Sequence, residues 1–163
     1  MRSVKSIPHK IFTLATLQQQ LQRWRLLNQK IVFTNGVFDI LHEGHIASLS
    51  EAAAHGNILI VGVNADASVK RLKGESRPVN NESSRALVLA SLVMTDAVII
   101  FEDDTPYNLI TAVMPDVLVK GGDYTIETIV GAKEVLANGG QVIIAPILEG
   151  FSTTSIIEKM KGL

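Results

Sequence analysis

The stretch that most constrains the fold covers residues 31–45, Ile-Val-Phe-Thr-Asn-Gly-Val-Phe-Asp-Ile-Leu-His-Glu-Gly-His. The apolar run from Lys30 to Thr34 has the β-branched and aromatic residues of a buried strand. Asn35 and Gly36 break that strand, because both tolerate turn conformations that other residues resist. Beyond His42-x-Gly44-His45, residues 46–54 carry an apolar stripe at helical spacing. The chain thus passes from strand through glycine into helix, with two imidazoles in the first helical turn. A helix start offers unpaired N–H groups and partial positive charge, which favour phosphate. Residues three apart share a helical face, so His42 and His45 can reach one anion, and Gly44 lets a ligand approach the backbone. The plainer alternative makes both histidines surface or capping residues and Asp39 a local turn former.

A chain of 163 residues, 47% hydrophobic and 19% charged, is globular and long enough to bury the core of one domain. The expected division is an N-terminal arm over residues 1–11 and a single domain over residues 12–163. A net charge of −1 provides no broad basic surface, which argues against a nucleic-acid partner. With no cysteine, disulfides, thiolate catalysis and cysteine-based metal sites are excluded, in keeping with a cytoplasmic location. No apolar run reaches membrane-spanning length and no signal peptide is evident, so no membrane partner is expected.

Leu14, Leu17, Leu21, Trp24 and Leu27 or Leu26 recur at helical steps, predicting an amphipathic helix over 13–28 anchored by Trp24. Residues 58–64 read as a second buried strand, with Asn64-Ala-Asp66 capping the next helix. The concentrated basic stretch 69–79 follows, either a solvated loop or, because it lies after a strand end, a place where Lys70, Lys73 and Arg77 contact phosphate. Asn80 or Asn81 caps a helix through Met94, in which Arg85 is either an exposed salt bridge or a substrate-phosphate ligand. Residues 96–101 form a third strand, and Thr105-Pro106 opens a helix running to Met114. A fourth strand, 116–120, delivers Lys120 to Gly121-Gly122, whose glycines permit close approach of a ligand. A helix within 126–138, a fifth strand 141–145 and a closing helix 156–161 complete the chain. The hydroxyls of residues 152–155 either cap that helix or form a second anion cradle. Alternating strands and helices predict an α/β fold with a doubly wound, five-stranded parallel sheet. Neither Gly-x-Gly-x-x-Gly nor Gly-x-x-x-x-Gly-Lys-Ser/Thr occurs, which disfavours a dinucleotide fold or a phosphate-loop ATPase.

The whole run Thr34-Asn-Gly-Val-Phe-Asp-Ile-Leu-His-Glu-Gly-His45 resembles the signature of the nucleotidyltransferase superfamily, with its Rossmann-like fold and His-x-Gly-His helix start. Downstream, Arg71-Leu-Lys-Gly-Glu-Ser-Arg-Pro-Val-Asn80, Phe101-Glu-Asp-Asp-Thr-Pro106, Pro115-Asp-Val-Leu-Val-Lys-Gly-Gly-Asp-Tyr124 and Gly150-Phe-Ser-Thr-Thr-Ser-Ile-Ile157 narrow it. These segments resemble the adenylyltransferases that act on D-glycero-β-D-manno-heptose 1-phosphate, and the likeness covers residues 12–161. Val37 replaces a cysteine common in that family, and Met94-Thr95-Asp96 departs from a more usual Val-Asp.

The resemblance implies AMP transfer from ATP to the sugar 1-phosphate, for lipopolysaccharide precursor synthesis. His42, His45, Lys120 and Lys73 would be catalytic. Thr34, Asn35, Gly36, Phe38, Asp39, Gly44, Gly121, Gly122, Asp123, Ser152, Thr153 and Thr154 would bind nucleotide, and Arg77 and Arg85 the substrate phosphate. Mg2+ would arrive with ATP, without a metal cage in the protein. A homo-oligomer is expected, with the helix over 81–94 as a candidate interface. Relatives often carry a fused sugar kinase, absent here, so the chain is expected to be a stand-alone enzyme or one domain of a fusion. Two alternatives stay open: a cytidylyltransferase for a small alcohol phosphate such as glycerol 3-phosphate, and a non-catalytic nucleotide-binding module.

Overall fold

Parallel pairing covers a strand on both faces, and the continuous apolar runs of this chain form such a sheet. In the computed structural model, which describes residues 4–122, 124–146, 148 and 150–161, six strands pair in parallel. They are β1 (Ile11–Phe12), β2 (Ile31–Gly36), β3 (Ile58–Asn64), β4 (Ala97–Phe101), β5 (Val117–Gly121) and β6 (Gln141–Ala145), ordered β1-β4-β3-β2-β5-β6. Around them lie α1 (Leu14–Leu26), α2 (Glu43–Ala53), α3 (Asp66–Lys73), α4 (Glu82–Ser91), α5 (Tyr107–Val113), α6 (Ala132–Ala137) and α7 (Thr153–Lys161). From β2 the chain winds one way to β3 and β4, then crosses to β5 and β6 on the other side. The winding reverses between β2 and β5, and the carboxyl ends of strands at such a point form the crevice where α/β sheets bind ligands.

Alternation along β2 divides the core. Ile31 and Phe33 join Leu17 and Leu21 of α1 and Ile110 of α5, whereas Val32 joins Leu49 and Ala52 of α2 and Leu89 of α4. Each large side chain so buried stabilises the fold by about 1.5–3 kcal/mol. Trp24 packs on the first cluster, edge-on to Phe12 at 6.2 Å, in the anchoring role expected of it. Leu26 and Leu27 lie at the end of α1 and are exposed, so the apolar stripe stops short of them.

The sheet has six strands, not five. At two residues β1 is too short to show alternation, yet it pairs with β4. Residues 4–10 before it, expected in a loosely held arm, form a 3₁₀ helix. Lys10 Nζ there donates to the carbonyls of Thr95 (2.6 Å) and Leu92 (3.4 Å). α4 starts after Asn81, whose side chain accepts the Ser84 N–H at 2.8 Å, but ends at Ser91 rather than Met94. α5 begins at Tyr107, with Pro106 rather than Thr105 in the capping position. α7 begins at Thr153 rather than Ile156, because the Ser152 hydroxyl accepts the Ser155 N–H at 3.0 Å. No described helix is long and apolar enough to cross a membrane.

Candidate functional site

Residues 37–42 carry the chain from β2 to α2, and Asp39 fixes this connection. Its buried carboxylate accepts the N–H groups of Val79 (2.8 Å) and Asn80 (2.9 Å), and Arg77 Nε at 2.7 Å. Burial pushes the carboxyl pKa up, but these N–H groups and the guanidinium outweigh it and hold the group below its ordinary value. Arg77, expected on a substrate phosphate, is therefore engaged by Asp39. Arg85 is not an exposed salt bridge either. Its fully buried side chain donates to the carbonyls of Asn80, Val37 and Asn64 and to the Asp66 carboxylate, at 2.7–2.9 Å. The Asn64 side chain, expected to help cap α3, instead donates to Ser68 Oγ at 3.1 Å, and Ala65 stands at the cap.

His42 holds the N-cap position of α2, yet its side chain caps nothing. Its ring stacks on that of His45 with centroids 3.8 Å apart, and Phe38 meets His45 edge-on at 5.3 Å. Both Nδ1 atoms are buried and have no hydrogen-bond partner among the described residues, and the two rings are half-buried rather than fully exposed. Burial lowers the pKa of His42, and burial together with the charge of His42 lowers that of His45 to about 4. Near neutral pH both are uncharged imidazoles, each able to donate one N–H bond. Negative charge brought against them would favour their protonated forms.

The start of α7 abuts this pair. Phe151 lies 6.4 Å beyond the His42 ring, and Thr153 Oγ1 lies 3.4 Å from the Ile40 carbonyl oxygen. A Cβ on Gly44 would stand 3.2 Å from Phe151 Cβ and 3.1 Å from the His42 ring, so glycine makes room there for the protein's own groups. A Cβ at Gly36 would likewise stand 3.0 Å from the Phe38 ring, and one at Gly121 3.0 Å from the Ser48 hydroxyl. Ser152 is engaged as the cap of α7, and Thr154 is exposed in the first turn.

At the end of β5, Lys120 Nζ donates to Asn35 Oδ1 at 3.3 Å and lies 5.6 Å from the centre of the Tyr124 ring. Burial lowers its pKa, and an ammonium so desolvated gains from any anion that enters. The adjoining cleft, about 280 Å³, is lined by Asn35, Gly36, Asn64, Pro106, Lys120 and Tyr124, with Leu72 of α3. Lys73 follows Leu72 and is exposed, as is Lys70, whose ammonium lies 4.0 Å from Glu75. Thr34 is buried within β2. Gly122 has φ +130° and packs under Tyr124; Asp123 lies outside the described residues.

The fold gathers His42, His45, Phe38, Gly44 and the hydroxyl-bearing start of α7 into one group, and Asn35, Gly36 and Lys120 line the cleft at the ends of β2 and β5. It leaves Lys73 at the periphery and ties Arg77 and Arg85 into the scaffold. Sequence reasoning missed Phe151 and Tyr124, the aromatic neighbours of His42 and Lys120. Their one signal was proximity to Gly150 and to Gly121-Gly122. Neutral imidazoles at a helix start, and a desolvated cation at the end of a neighbouring strand, suit a polyanion whose charge shifts during reaction.

The Cytidylyltransferase-like family profile matches residues 33–159. Bifunctional protein HldE of Nitrobacter winogradskyi is 57% identical over 146 residues, 90% of this chain and 30% of that protein. Its namesake in Rhodospirillum rubrum is 52% identical over 153 residues, 94% of this chain and 31% of that one. The chain thus spans about 30% of the length of the curated relatives it matches. Among solved structures, the lipopolysaccharide core biosynthesis protein from Thermoplasma volcanium superposes with TM-score 0.59 at 31% identity, covering 74% of this chain and 97% of that one. The pantoate-beta-alanine ligase from Francisella tularensis shares the fold, with TM-score 0.54 at 16% identity over 88% of this chain and 75% of that one.

Proposed function

Because this chain belongs to the cytidylyltransferase-like family, we propose that it transfers AMP from ATP to D-glycero-β-D-manno-heptose 1-phosphate. A phosphate oxygen of the sugar 1-phosphate attacks the α-phosphorus of ATP. The bond from that phosphorus to the oxygen bridging to the β-phosphate breaks, and ADP-heptose and pyrophosphate result. The observation that carries the reading is the stacked His42–His45 pair, with buried and unpartnered Nδ1 atoms, at the start of α2. Its N–H donors are pre-positioned, so they stabilise charge developing on the transferred phosphoryl group without reorganising. Lys120, desolvated beside Asn35 at the end of β5, binds phosphate. The start of α7 adds N–H groups and the Thr153 and Thr154 hydroxyls toward the β- and γ-phosphates. Likeness to proteins named HldE supports the sugar and nucleotide assigned.

Among the described residues no group of three or more His, Cys, Asp or Glu could hold a metal ion. Mg2+ carried on ATP supplies neutralisation of the phosphate oxygens. No enzyme nucleophile is required, and the protein's part is positioning and charge stabilisation. Incubation with ATP labelled in the α-phosphate tests the reading. Label is expected in ADP-heptose and none covalently on the protein; label retained on the protein, or no transfer to the sugar phosphate, would overturn it.

A further inference from the structure

We infer that Phe38, locked between two hydrogen-bonded clamps, is a positioning residue that orients the His45 imidazole, an inference that rests on the transfer reaction proposed above. Phe38 has φ +49°, a left-handed conformation that is costly for an aromatic residue and persists only where its surroundings over-determine it. Both neighbours are held. On one side the Val37 carbonyl accepts from Arg85 Nη1 at 2.7 Å; on the other the Asp39 carboxylate accepts from Arg77 and from the Val79 and Asn80 N–H groups. The clamps meet at Asn80. Its carbonyl accepts from Arg85 Nε at 2.9 Å, and its side-chain amide donates to the Asp39 carbonyl at 2.7 Å.

This closed circuit directs the Phe38 ring edge-on against His45, 5.3 Å between centroids, while the other aromatic neighbour of His45 is the His42 ring at 3.8 Å. A functional imidazole is ordinarily oriented by a hydrogen bond to its second nitrogen. His45 Nδ1 is buried and has no such bond among the described residues, so packing between rings is what orients it. Gly36 completes the device, since a Cβ there would stand 3.0 Å from the Phe38 ring.

Two substitutions test this. Phe38→Leu keeps an apolar side chain and both clamps but removes the aromatic edge. Arg85→Lys keeps the charge, but one nitrogen cannot serve four acceptors held by a planar fork. In each, kcat is expected to fall by up to about 100-fold, with KM for ATP little changed and the nuclear Overhauser contacts between the His45 and His42 rings altered. Those contacts report ring orientation rather than the loss of a neighbouring ring current, and they need no substrate, so the inference is separable from the reaction. A wild-type protein without turnover would defeat the proposed reaction, while altered His45–His42 contacts in Phe38→Leu would still support the orienting role. Should Arg85→Lys not fold, Phe38→Leu decides alone. Unaltered His45–His42 contacts and wild-type kcat in folded Phe38→Leu, with only a lower melting temperature, would overturn the inference.

Discussion

Two neutral imidazoles in van der Waals contact make the centre of the site sensitive to acid. An unfolded histidine takes its proton near 6.5, whereas burial lowers folded His42 and holds folded His45 down to about 4. Below 6.5 the unfolded state therefore binds more protons, so the contribution is full above that pH and is lost as pH falls toward 4. Melting temperatures recorded from neutral pH downward should drop across this window, and His45→Gln should flatten the drop. In catalysis, His42→Ala and His45→Ala should each leave the fold intact and lower kcat by on the order of 10²–10³. ATP affinity should fall much less, since only interactions stronger in the transition state raise kcat. Single-turnover rates of both variants and the double variant check this, with losses expected to be less than additive. The histidine pair was legible because a three-residue spacing at a helix start is a local fact. The fate of Arg77 was not. Spacing places a cation after a strand end, but does not reveal a buried carboxylate 38 residues earlier that claims it.

The elements were legible wherever an apolar run was long enough to show a period. β2 to β6 came through on that signal, and their order around β2 was not readable because pairing partners leave no mark on a strand's own sequence. β1 escaped for the opposite reason, its two residues lying below any period. It nonetheless closes one edge of the sheet, with Phe12 against Trp24 and Lys10 on the carbonyls after α4. Phe12→Ala should therefore destabilise the fold by about 1–3 kcal/mol, read as a lower melting temperature, while kcat at a temperature where the variant is folded stays at the wild-type value. A matching loss of kcat would tie this edge to the site, which the sheet order places several strands away.

Taken whole, the molecule hangs both groups on neighbouring strands of one sheet, His42 and His45 after β2 and Lys120 at the end of β5. The chain covers only about 30% of its HldE relatives, yet the family match spans both groups. Turnover is thus expected from this chain by itself. Specificity is a ratio of kcat/KM values between competing substrates, and it reports on transition-state binding rather than on affinity. The most direct test measures that ratio by pyrophosphate release, for ATP with D-glycero-β-D-manno-heptose 1-phosphate against CTP with glycerol 3-phosphate. A large preference for the first pair is expected; an equal or higher kcat/KM for the second would overturn the heptose adenylyltransferase reading.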